Sequence, residues 1–328
     1  MRFAPVFLLA TVAALLLAGC GGGDEGATAT EATKPPAPPF LQVNLPGEAA
    51  PEAAGFLLAH RVGYFPQSRV HVWFVAPSHP ARPPMYVEQE LVDAAMIHEP
   101  QLILAREQGK PLVAFGSVVP HPTMAMIWLE GSGIHDIADL KGKTIAIPGI
   151  RFQKDFLEAV LARGGLTLAD VNLKSVSYFL ESELVHGRAD AIFGGSMNTE
   201  GRRLQARGLD PVVTPVGKLG IPDYDELILV ARRDRYAKDR ELFQRLVRGT
   251  TRGNASVGEL PGSATKAIGN AEKTKIPPAP TFAGVKEMAP HLSRTGRIDP
   301  ERLQHLADWM YAQGMTERRW QASELLGG

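Results

Sequence analysis

Two polar loops, each directly after a short apolar run, carry the side chains best suited to bind a small solute. The first is His98-Glu99-Pro100, which follows the apolar residues Ala94 to Ile97. The second runs from Gly194 to Asn198, after Ala191-Ile192-Phe193, and is followed by Glu200. Imidazole, amide and carboxylate groups donate and accept hydrogen bonds, so together they predict a polar binding site. No Ser-His-Asp spacing and no metal-like His cluster accompanies them, so neither nucleophilic catalysis nor a metal site is indicated.

The segments that must position these loops are two copies of one design. In each copy a small-Asp-Ala start leads into an apolar run, a polar loop and a helical pattern that ends at a glycine, Gly109 or Gly208, before a proline and another apolar run. Each copy predicts strand, loop, helix and strand, arranged as a right-handed βαβ unit. Two such units predict two similar α/β lobes whose loops face each other across a cleft, beyond the carboxyl ends of the strands. The alternative is that any two α/β segments share this order.

Each candidate side chain also has a structural alternative. Glu200, near a helix start, can accept two hydrogen bonds from a solute or can compensate the helix dipole. Glu99 can cap its own helix, in which case His98 is the residue directed into the cleft. Asn198 offers a donor and an acceptor to a solute, but Asn is as common in turns. The residue types leave these alternatives open.

Two further segments lie near the expected cleft. His121, between two prolines, is near a crossing from one lobe to the other, where a hinge role competes with ligand contact. Arg151 and Phe152 begin a helix at the cleft mouth, where an arginine would suit an anionic or carbonyl group.

The composition excludes several classes of protein. The 328 residues suffice for about two domains, and their formal net charge of zero, without a basic stripe, argues against binding nucleic acid. Cys20 is the only cysteine, which excludes internal disulfides, thiolate zinc sites and iron-sulfur clusters. We therefore expect neither a metal nor a cofactor.

The position of Cys20 indicates export. A basic start at Arg2 and an apolar run from about Phe7 end in Leu17-Ala18-Gly19-Cys20, which makes a secretory signal too short to span a bilayer. The pattern resembles the signal of bacterial lipoproteins, in which the cysteine is lipidated and becomes the mature N-terminus. The alternative is that Cys20 is merely a small residue of the signal. We expect a signal peptide over residues 1–19 and a flexible tether over 20–39, which is poor in branched apolar and aromatic residues.

The remaining chain predicts a discontinuous first lobe. Strands are expected at Phe40 to Leu45, Val70 to Val75, Met124 to Leu129, within Asp139 to Gly149 between a turn and a loop, and at Leu173 to Ser177 and Glu226 to Ala231. Helices are expected at Ala53 to His60, Phe152 to Arg163, Glu181 to His186 and from Asp299-Pro300 to Gly314. Met124 to Leu129 and Glu226 to Ala231 form a plausible pair of crossings between lobes. The first lobe then comprises residues 40–124 and 227–328, with the second, 125–226, inserted.

A set of motifs along the chain carries a family resemblance. The motifs are Ala54-Gly55-Phe56 with Gly63-Tyr64-Phe65, Glu99-Pro100 with Ala105 to Gly109, His121-Pro122, Asp139 to Lys143, Gly187 to Ala191, Asn198 with Glu200-Gly201, and Gly220 to Leu227. With them the chain from Phe40 to Leu326 resembles the substrate-binding lipoproteins of ABC importers that carry the pyrimidine precursor of thiamine, a family that also includes eukaryotic pyrimidine synthases. The resemblance implies an α/β, two-lobed type II periplasmic-binding-protein fold, with two mixed, mainly parallel sheets flanked by helices.

The resemblance also implies where the ligand lies and where this chain departs from the pattern. The first strand of such pyrimidine binders usually ends Asp-Trp, where this chain has Asn44-Leu45, and Met197 stands where the second loop usually has Trp. Two stacking aromatics are therefore missing, so either the ligand differs from that of the family or it stacks on Phe152 or Tyr224 instead. The expected ligand-binding residues are Asn44, His98, Glu99, His121, Phe152, Asn198, Glu200 and Tyr224.

The implied function is that of a lipid-anchored, extracytoplasmic, monomeric receptor. It would close its lobes on a small nitrogen heterocycle related to the thiamine pyrimidine and deliver it to a permease with its ATPase. The alternatives are another solute, such as a riboflavin-like heterocycle, nitrate or a sulfonate, an enzyme, or a sensor domain. The synthases of the family use a Cys-rich motif that is absent here, which disfavours an enzyme.

Overall fold

The computed structural model describes residues 39–271 and 278–328, so the predicted signal peptide, Cys20 and nearly all of the predicted tether lie outside the described residues. The strands are β1 (Phe40–Asn44), β2 (His71–Val75), β3 (Ala94–Ile97), β4 (Leu112–Val119), β5 (Met124–Leu129), β6 (Thr144–Ile147), β7 (Asn172–Ser175), β8 (Ala191–Ser196), β9 (Pro211–Pro215) and β10 (Leu227–Arg232). The helices are α1 (Ala54–Val62), α2 (Tyr64–Gln67), α3 (Pro83–Glu88), α4 (Glu99–Glu107), α5 (Arg151–Arg163), α6 (Leu180–Val185), α7 (Glu200–Ala206), α8 (Arg233–Lys238), α9 (Arg240–Ser256), α10 (Pro261–Ala271), α11 (Pro278–Met288), α12 (Pro300–Ala312) and α13 (Ala322–Leu325).

The strands form two five-stranded mixed sheets with matching topology. One sheet has the order β2-β1-β3-β10-β4 and the other β7-β6-β8-β5-β9. In the first, β1 is parallel to β2 and β3, and β10 is antiparallel to both of its neighbours. In the second, β6 is parallel to β7 and β8, and β5 is antiparallel to both of its neighbours. The predicted fold class, two mixed α/β sheets flanked by helices, is therefore confirmed.

The duplicated sequence design corresponds to β3-α4-β4 and β8-α7-β9, but its two strands are not hydrogen-bonded neighbours. Leu229 of β10 pairs with Met96 on one side and with Gly116 on the other, so β10 separates β3 from β4. In the same way β5 separates β8 from β9. The expected simple βαβ unit was wrong in this detail, because a strand that arrives from the other lobe lies between its two strands.

Two connections join the sheets, residues 120–123 between β4 and β5 and residues 216–226 between β9 and β10. We call the part of the chain from β5 to β9 lobe 2, and the parts before and after it, which build the first sheet, lobe 1. The lobes share one apolar core, in which Ile97 of lobe 1 and Phe156 of lobe 2 belong to the same cluster as Leu306 of α12. Burial of this common surface stabilises the contact between the lobes.

Local sequence signals explain the ends of two helices. Gly63 ends α1 with a positive φ of 79°, a conformation that glycine adopts without steric cost. Asp299 begins α12 by accepting the backbone N–H groups of Glu301 and Arg302 at 3.0 and 3.3 Å, with Pro300 in the first helical position. No helix in the part of the chain that the structure describes is both long and apolar enough to cross a membrane.

Candidate functional site

A cavity of about 140 Å³ lies where the two lobes meet. Its wall includes the loop after β1, the start of α4, the segments next to β5 and β10, and the loops after β6, β7 and β8. Both lobes therefore contribute to one partly open cavity. The polar side chains that matter below are Glu48, Glu52, His98, Gln153, Glu200 and Glu226.

Glu226 lines the cavity at the point where the two connections between the lobes meet. Its Oε2 accepts the backbone N–H groups of Thr123 and Met124 at 2.6 and 2.9 Å, and its Oε1 lies 2.8 Å from Nδ1 of His98. Burial alone would raise the pKa of Glu226, but the bonds from His98 and the two N–H groups hold that pKa below its ordinary value. Glu226 is thus an ionised carboxylate that holds both connections and orients the His98 ring.

Glu200 presents a carboxyl group from the first turn of α7. Its Oε2 accepts the Ser196 backbone N–H at 2.6 Å. Burial raises the pKa of Glu200 to about 8, against the opposing effect of the nearby Arg203 charge. The Glu200 carboxyl therefore carries a proton at neutral pH and can both donate and accept a hydrogen bond.

Glu52 approaches the same space from lobe 1. It accepts a hydrogen bond from the Ser196 hydroxyl, and Oγ1 of Thr199 donates to its Oε2 at 3.3 Å. Burial raises the pKa of Glu52, and the charge of Glu226 raises it further. A lobe 1 carboxyl is therefore held by two lobe 2 hydroxyls across the cavity.

Gln153 is a buried polar residue in the wall of the cavity. The residue is 2% exposed, and its Oε1 has almost no exposed surface and no hydrogen-bond partner among the described residues. The close approach of Gln153 depends on Gly194, whose φ is +95° and where an added Cβ would lie 2.8 Å from Nε2 of Gln153. A substitution at Gly194 would therefore displace this part of the wall.

Further contacts bridge the lobes beside the cavity. Arg203 Nη1 of α7 lies 3.1 Å from Glu48 Oε1 in the loop after β1. The Tyr178 hydroxyl of lobe 2 donates to the Pro77 carbonyl of lobe 1 at 2.8 Å. The lobes are therefore closed on the cavity in this structure.

The lining has one clear chemical character. Glu48, Glu52, Glu200 and Glu226 are its acidic residues, and none of the described lining residues is Lys or Arg. Such a surface suits a solute that is rich in hydrogen-bond donors, neutral or weakly basic, and it opposes an anion because the ionised Glu226 would repel it and no described lining residue is a Lys or Arg. A cavity of about 150 Å³ can hold one benzene-sized ring, so the space matches a single six-membered heterocycle.

The structure brings His98 and Glu200, of the eight expected ligand-binding residues, into this lining. Glu99 accepts the Asp225 backbone N–H at 2.9 Å, and burial together with the Asp225 charge raises the pKa of Glu99 to about 8. Phe152 is fully buried with its ring 5.2 Å from that of His98. Tyr224 is fully buried against Phe156, and burial raises the pKa of its hydroxyl well above the ordinary value. None of these three lines the cavity.

The other three expected residues also lie outside the lining. Asn44 is buried at the end of β1 and donates to the Val75 carbonyl at 3.1 Å. His121 is half exposed and pairs with Asp223 at 2.9 Å. Asn198 is buried next to the cavity loop, and its backbone carbonyl lies against Gly284 of α11.

Sequence reasoning missed Glu52, Gln153, Ser196, Thr199 and Glu226 as site residues. Glu226 belongs to the Gly220 to Leu227 motif directly before a predicted strand, which could have indicated it. Gln153 follows the predicted Phe152 by one position. Glu52 lies in the loop between the first strand and the first helix, where sequence offers no periodicity to assign a direction.

Metal ligation receives no support from residues 39–271 and 278–328, where no group of three or more His, Cys, Asp or Glu side chains is placed to hold an ion. Arg151, considered for an anionic group, lies 3.6 Å from Asp155 of its own helix.

Comparison with known proteins identifies related sequences. A family model described as "NMT1/THI5 like" matches residues 50–264. A provisionally named thiamine biosynthesis protein of Haemophilus influenzae is 29% identical over 270 residues, which cover 82% of this chain and 85% of that protein. The formylaminopyrimidine-binding protein of Halalkalibacterium halodurans is 29% identical over 206 residues, 63% of this chain and 62% of that protein. A pyrimidine phosphate synthase of Schizosaccharomyces pombe is 29% identical over 150 residues, 45% of this chain and 42% of that protein.

Comparison with solved structures supports the fold. The alkanesulfonate-binding protein SsuA from Xanthomonas axonopodis pv. citri superposes with a TM-score of 0.69 and 18% identity, over 88% of this chain and 97% of that one. The chain thus has the fold of the periplasmic binding proteins, as the sequence predicted.

Proposed function

The chain belongs to the NMT1/THI5-like family, and on that premise we propose that it is an extracytoplasmic solute-binding protein that captures a small nitrogen heterocycle for an ABC importer. The heterocycle is the thiamine pyrimidine precursor or a close relative. Capture occurs by closure of the two lobes, with lobe 1 formed by residues 40–124 and 227–328 and lobe 2 by residues 125–226. The cross-cavity contacts of Glu52 and Glu48 support this mode of binding.

The observation that carries the proposal is the acidic lining of a ring-sized cavity, which offers hydrogen-bond acceptors to a ligand that donates. An aminopyrimidine edge presents a ring nitrogen that accepts and an amino group that donates. A protonated Glu200 carboxyl offers the matching donor and acceptor, and its pKa of about 8 keeps that proton available at neutral pH. The carboxyl of Glu52 supplies a further acceptor.

The same lining disfavours the alternative solutes. A sulfonate or nitrate ion brings negative charge into a space with four glutamates and offers no proton to them. The three fused rings of a riboflavin-like molecule exceed the inner space of about 140 Å³, which matches a single ring. The fold shared with a sulfonate-binding protein therefore does not extend to its ligand.

Two finer parts of the proposal concern partners and chemistry. A lipid on Cys20 anchors the monomeric protein to the membrane, where it delivers its ligand to a permease and ATPase. We propose binding without turnover, because the cavity lining contains no thiol and Cys20 is the only cysteine of the chain. A sensor that signals to a partner would share the same cavity.

Calorimetry on the purified full chain tests the proposal. We expect 4-amino-2-methylpyrimidine compounds to bind with a dissociation constant in the micromolar range or below, and methanesulfonate and nitrate to give no measurable heat. Mass spectrometry of small molecules that co-purify with the protein identifies the natural ligand. Pyrimidine binding no better than millimolar, or tighter binding of methanesulfonate, would refute the proposal.

A further inference from the structure

A second, larger cavity opens next to the inner one. It measures about 570 Å³ and lies between the end of β2 with the loop that follows it and residues 178–179 of lobe 2. The two cavities share four lining residues, Gly47, Glu48, Tyr178 and Phe179. Only this thin wall separates them, so a ligand in one is adjacent to the other.

Tyr178 forms the partition between the two spaces. Its ring lies near Gly47, where an added Cβ would be 3.6 Å from Cε1 of the tyrosine. Its hydroxyl donates to the Pro77 carbonyl at 2.8 Å, so the ring spans from lobe 2 to lobe 1. Both cavities therefore depend on the same closed arrangement of the lobes.

Aromatic side chains face the outer cavity with unusual exposure. Trp73 is 58% exposed and Phe179 40% exposed, and both line this cavity. Phe179 also has a left-handed backbone with φ +59°, which is unfavourable for a bulky residue. Residues with a strained backbone of this kind concentrate at binding sites, where the surrounding structure holds them in place.

The charge of the outer cavity differs from that of the inner one. Glu48 is the acidic residue among its described lining, and Arg203 lies 3.1 Å from the Glu48 carboxylate. An ion-paired carboxylate and several aromatic rings suit an uncharged, flat or apolar group, which can stack on tryptophan and phenylalanine. The two cavities are therefore complementary to different parts of one molecule.

We propose that the outer cavity is a second subsite, which takes an uncharged aromatic ring joined by a short linker to the heterocycle in the inner cavity. This inference rests on the proposed function and specifies its ligand class as a two-part molecule with a donor-rich head ring and a flat second group. Trp73 and Phe179 hold the second group, and the inner acidic residues hold the head ring.

A matched set of compounds tests the subsite. The parent is 4-amino-2-methylpyrimidine, and three relatives carry a benzyl group on the 4-amino nitrogen, on C5 or on C6. Calorimetry with the full chain should show at least one benzyl compound binding tenfold or more tighter than the parent. This gain, measured as the ratio of benzyl to parent affinity, should disappear in Trp73→Ala and in Phe179→Gly. Trp73 lines only the outer cavity, so Trp73→Ala should bind the parent as tightly as the wild type does.

Two features of the design keep the test decisive. Phe179→Gly removes the ring and places glycine at a positive φ, so the variant is expected to fold. Tyr311→Ala removes a similarly exposed aromatic, 44% exposed in α12, that lines neither cavity, and it should leave every affinity unchanged. If the parent binds but none of the benzyl compounds binds more tightly, or if their gain survives in both variants, the subsite is refuted and the proposed function stands. If none of the four compounds binds, both fall together.

Discussion

Thr199 Oγ1 lies 3.3 Å from Glu52 Oε2, so a hydroxyl of lobe 2 donates to a carboxyl of lobe 1 across the cavity. The same carboxyl accepts the Ser196 hydroxyl. These bonds exist only when the lobes are together, and both donors lie within four residues of Glu200. The closed state and the ligand site are therefore built from one loop.

We predict that Glu52→Ala shifts the unliganded protein toward an open arrangement, because the variant loses both cross-cavity hydrogen bonds. Small-angle scattering should show a larger radius of gyration for the variant than for the wild type without ligand. Addition of the pyrimidine should lower the radius of gyration of the wild type, and an unchanged radius with a confirmed binder would exclude hinge closure. Equal radii for the two unliganded proteins would show that Glu52 does not control closure.

We predict that Glu200→Ala weakens pyrimidine binding by about 1 to 3 kcal/mol, because two hydrogen bonds of a protonated carboxyl are lost, each worth about 0.5 to 1.5 kcal/mol. This corresponds to roughly a five- to hundredfold higher dissociation constant, measured by calorimetry. Glu158→Ala, an exposed glutamate of α5 outside the cavity lining, is the matched control and should bind as the wild type does. Wild-type affinity in Glu200→Ala would remove Glu200 from the site.

We predict that affinity falls as the pH rises above about 8. Burial raises the pKa of Glu200 to about 8 in the unliganded protein, so its proton is present below that pH and lost above it. Above this pH a proton must be taken up to bind a neutral aminopyrimidine, and the dissociation constant should rise about tenfold per pH unit. Glu200→Gln keeps a donor and an acceptor without titrating, so its affinity should stay level from pH 7 to 9. A wild-type profile as flat as that of Glu200→Gln would contradict this assignment.

We predict that Glu226→Ala lowers the free energy of unfolding by about 3 to 5 kcal/mol, the usual cost of removing one member of a buried pair. The backbone N–H groups of Thr123 and Met124 would be left without their shared acceptor, and His98 without its carboxylate. Urea denaturation measures the change. Glu226→Gln retains a carbonyl oxygen for the two N–H groups and should lose clearly less stability; an equal loss in both variants would argue against this role for the backbone bonds.

We predict that Cys20→Ser abolishes stable membrane attachment, because the variant has no thiol to carry lipid. Two or more acyl chains anchor a protein stably, whereas one gives only marginal binding. The variant should appear in the aqueous phase after detergent partitioning or remain unprocessed. A double variant is unnecessary as a control, since Cys20 is the only thiol available for lipidation. Processed protein that partitions into detergent as strongly as the wild type would exclude the anchor.

The sequence predicted the elements better than their pairing. Gly63 and Asp299-Pro300 are local signals, and the helices they bound end and begin where expected. The neighbours of β3 are decided by Leu227–Arg232, which is over a hundred residues away along the chain, and no local pattern specifies that insertion.

The site was predictable where a residue directly follows a strand or begins a helix, as His98 and Glu200 do. The roles of aromatic residues were harder to predict, because Phe152 and Tyr224 look the same in the sequence whether they stack on a ligand or fill a core. The sequence could not show that the Glu52 side chain faces the cavity, since its orientation is set by contacts with a lobe that begins about seventy residues later.

The position of β10 between β3 and β4 has a consequence for synthesis of the chain. Lobe 2 has all five strands of its sheet once Pro215 has been made, whereas lobe 1 still has a gap between β3 and β4 until Leu227–Arg232 emerges. A nascent chain of that length therefore carries one finished sheet and one with two unpaired inner edges, which are open to wrong partners. The lobe that is translated first is the last to complete its fold.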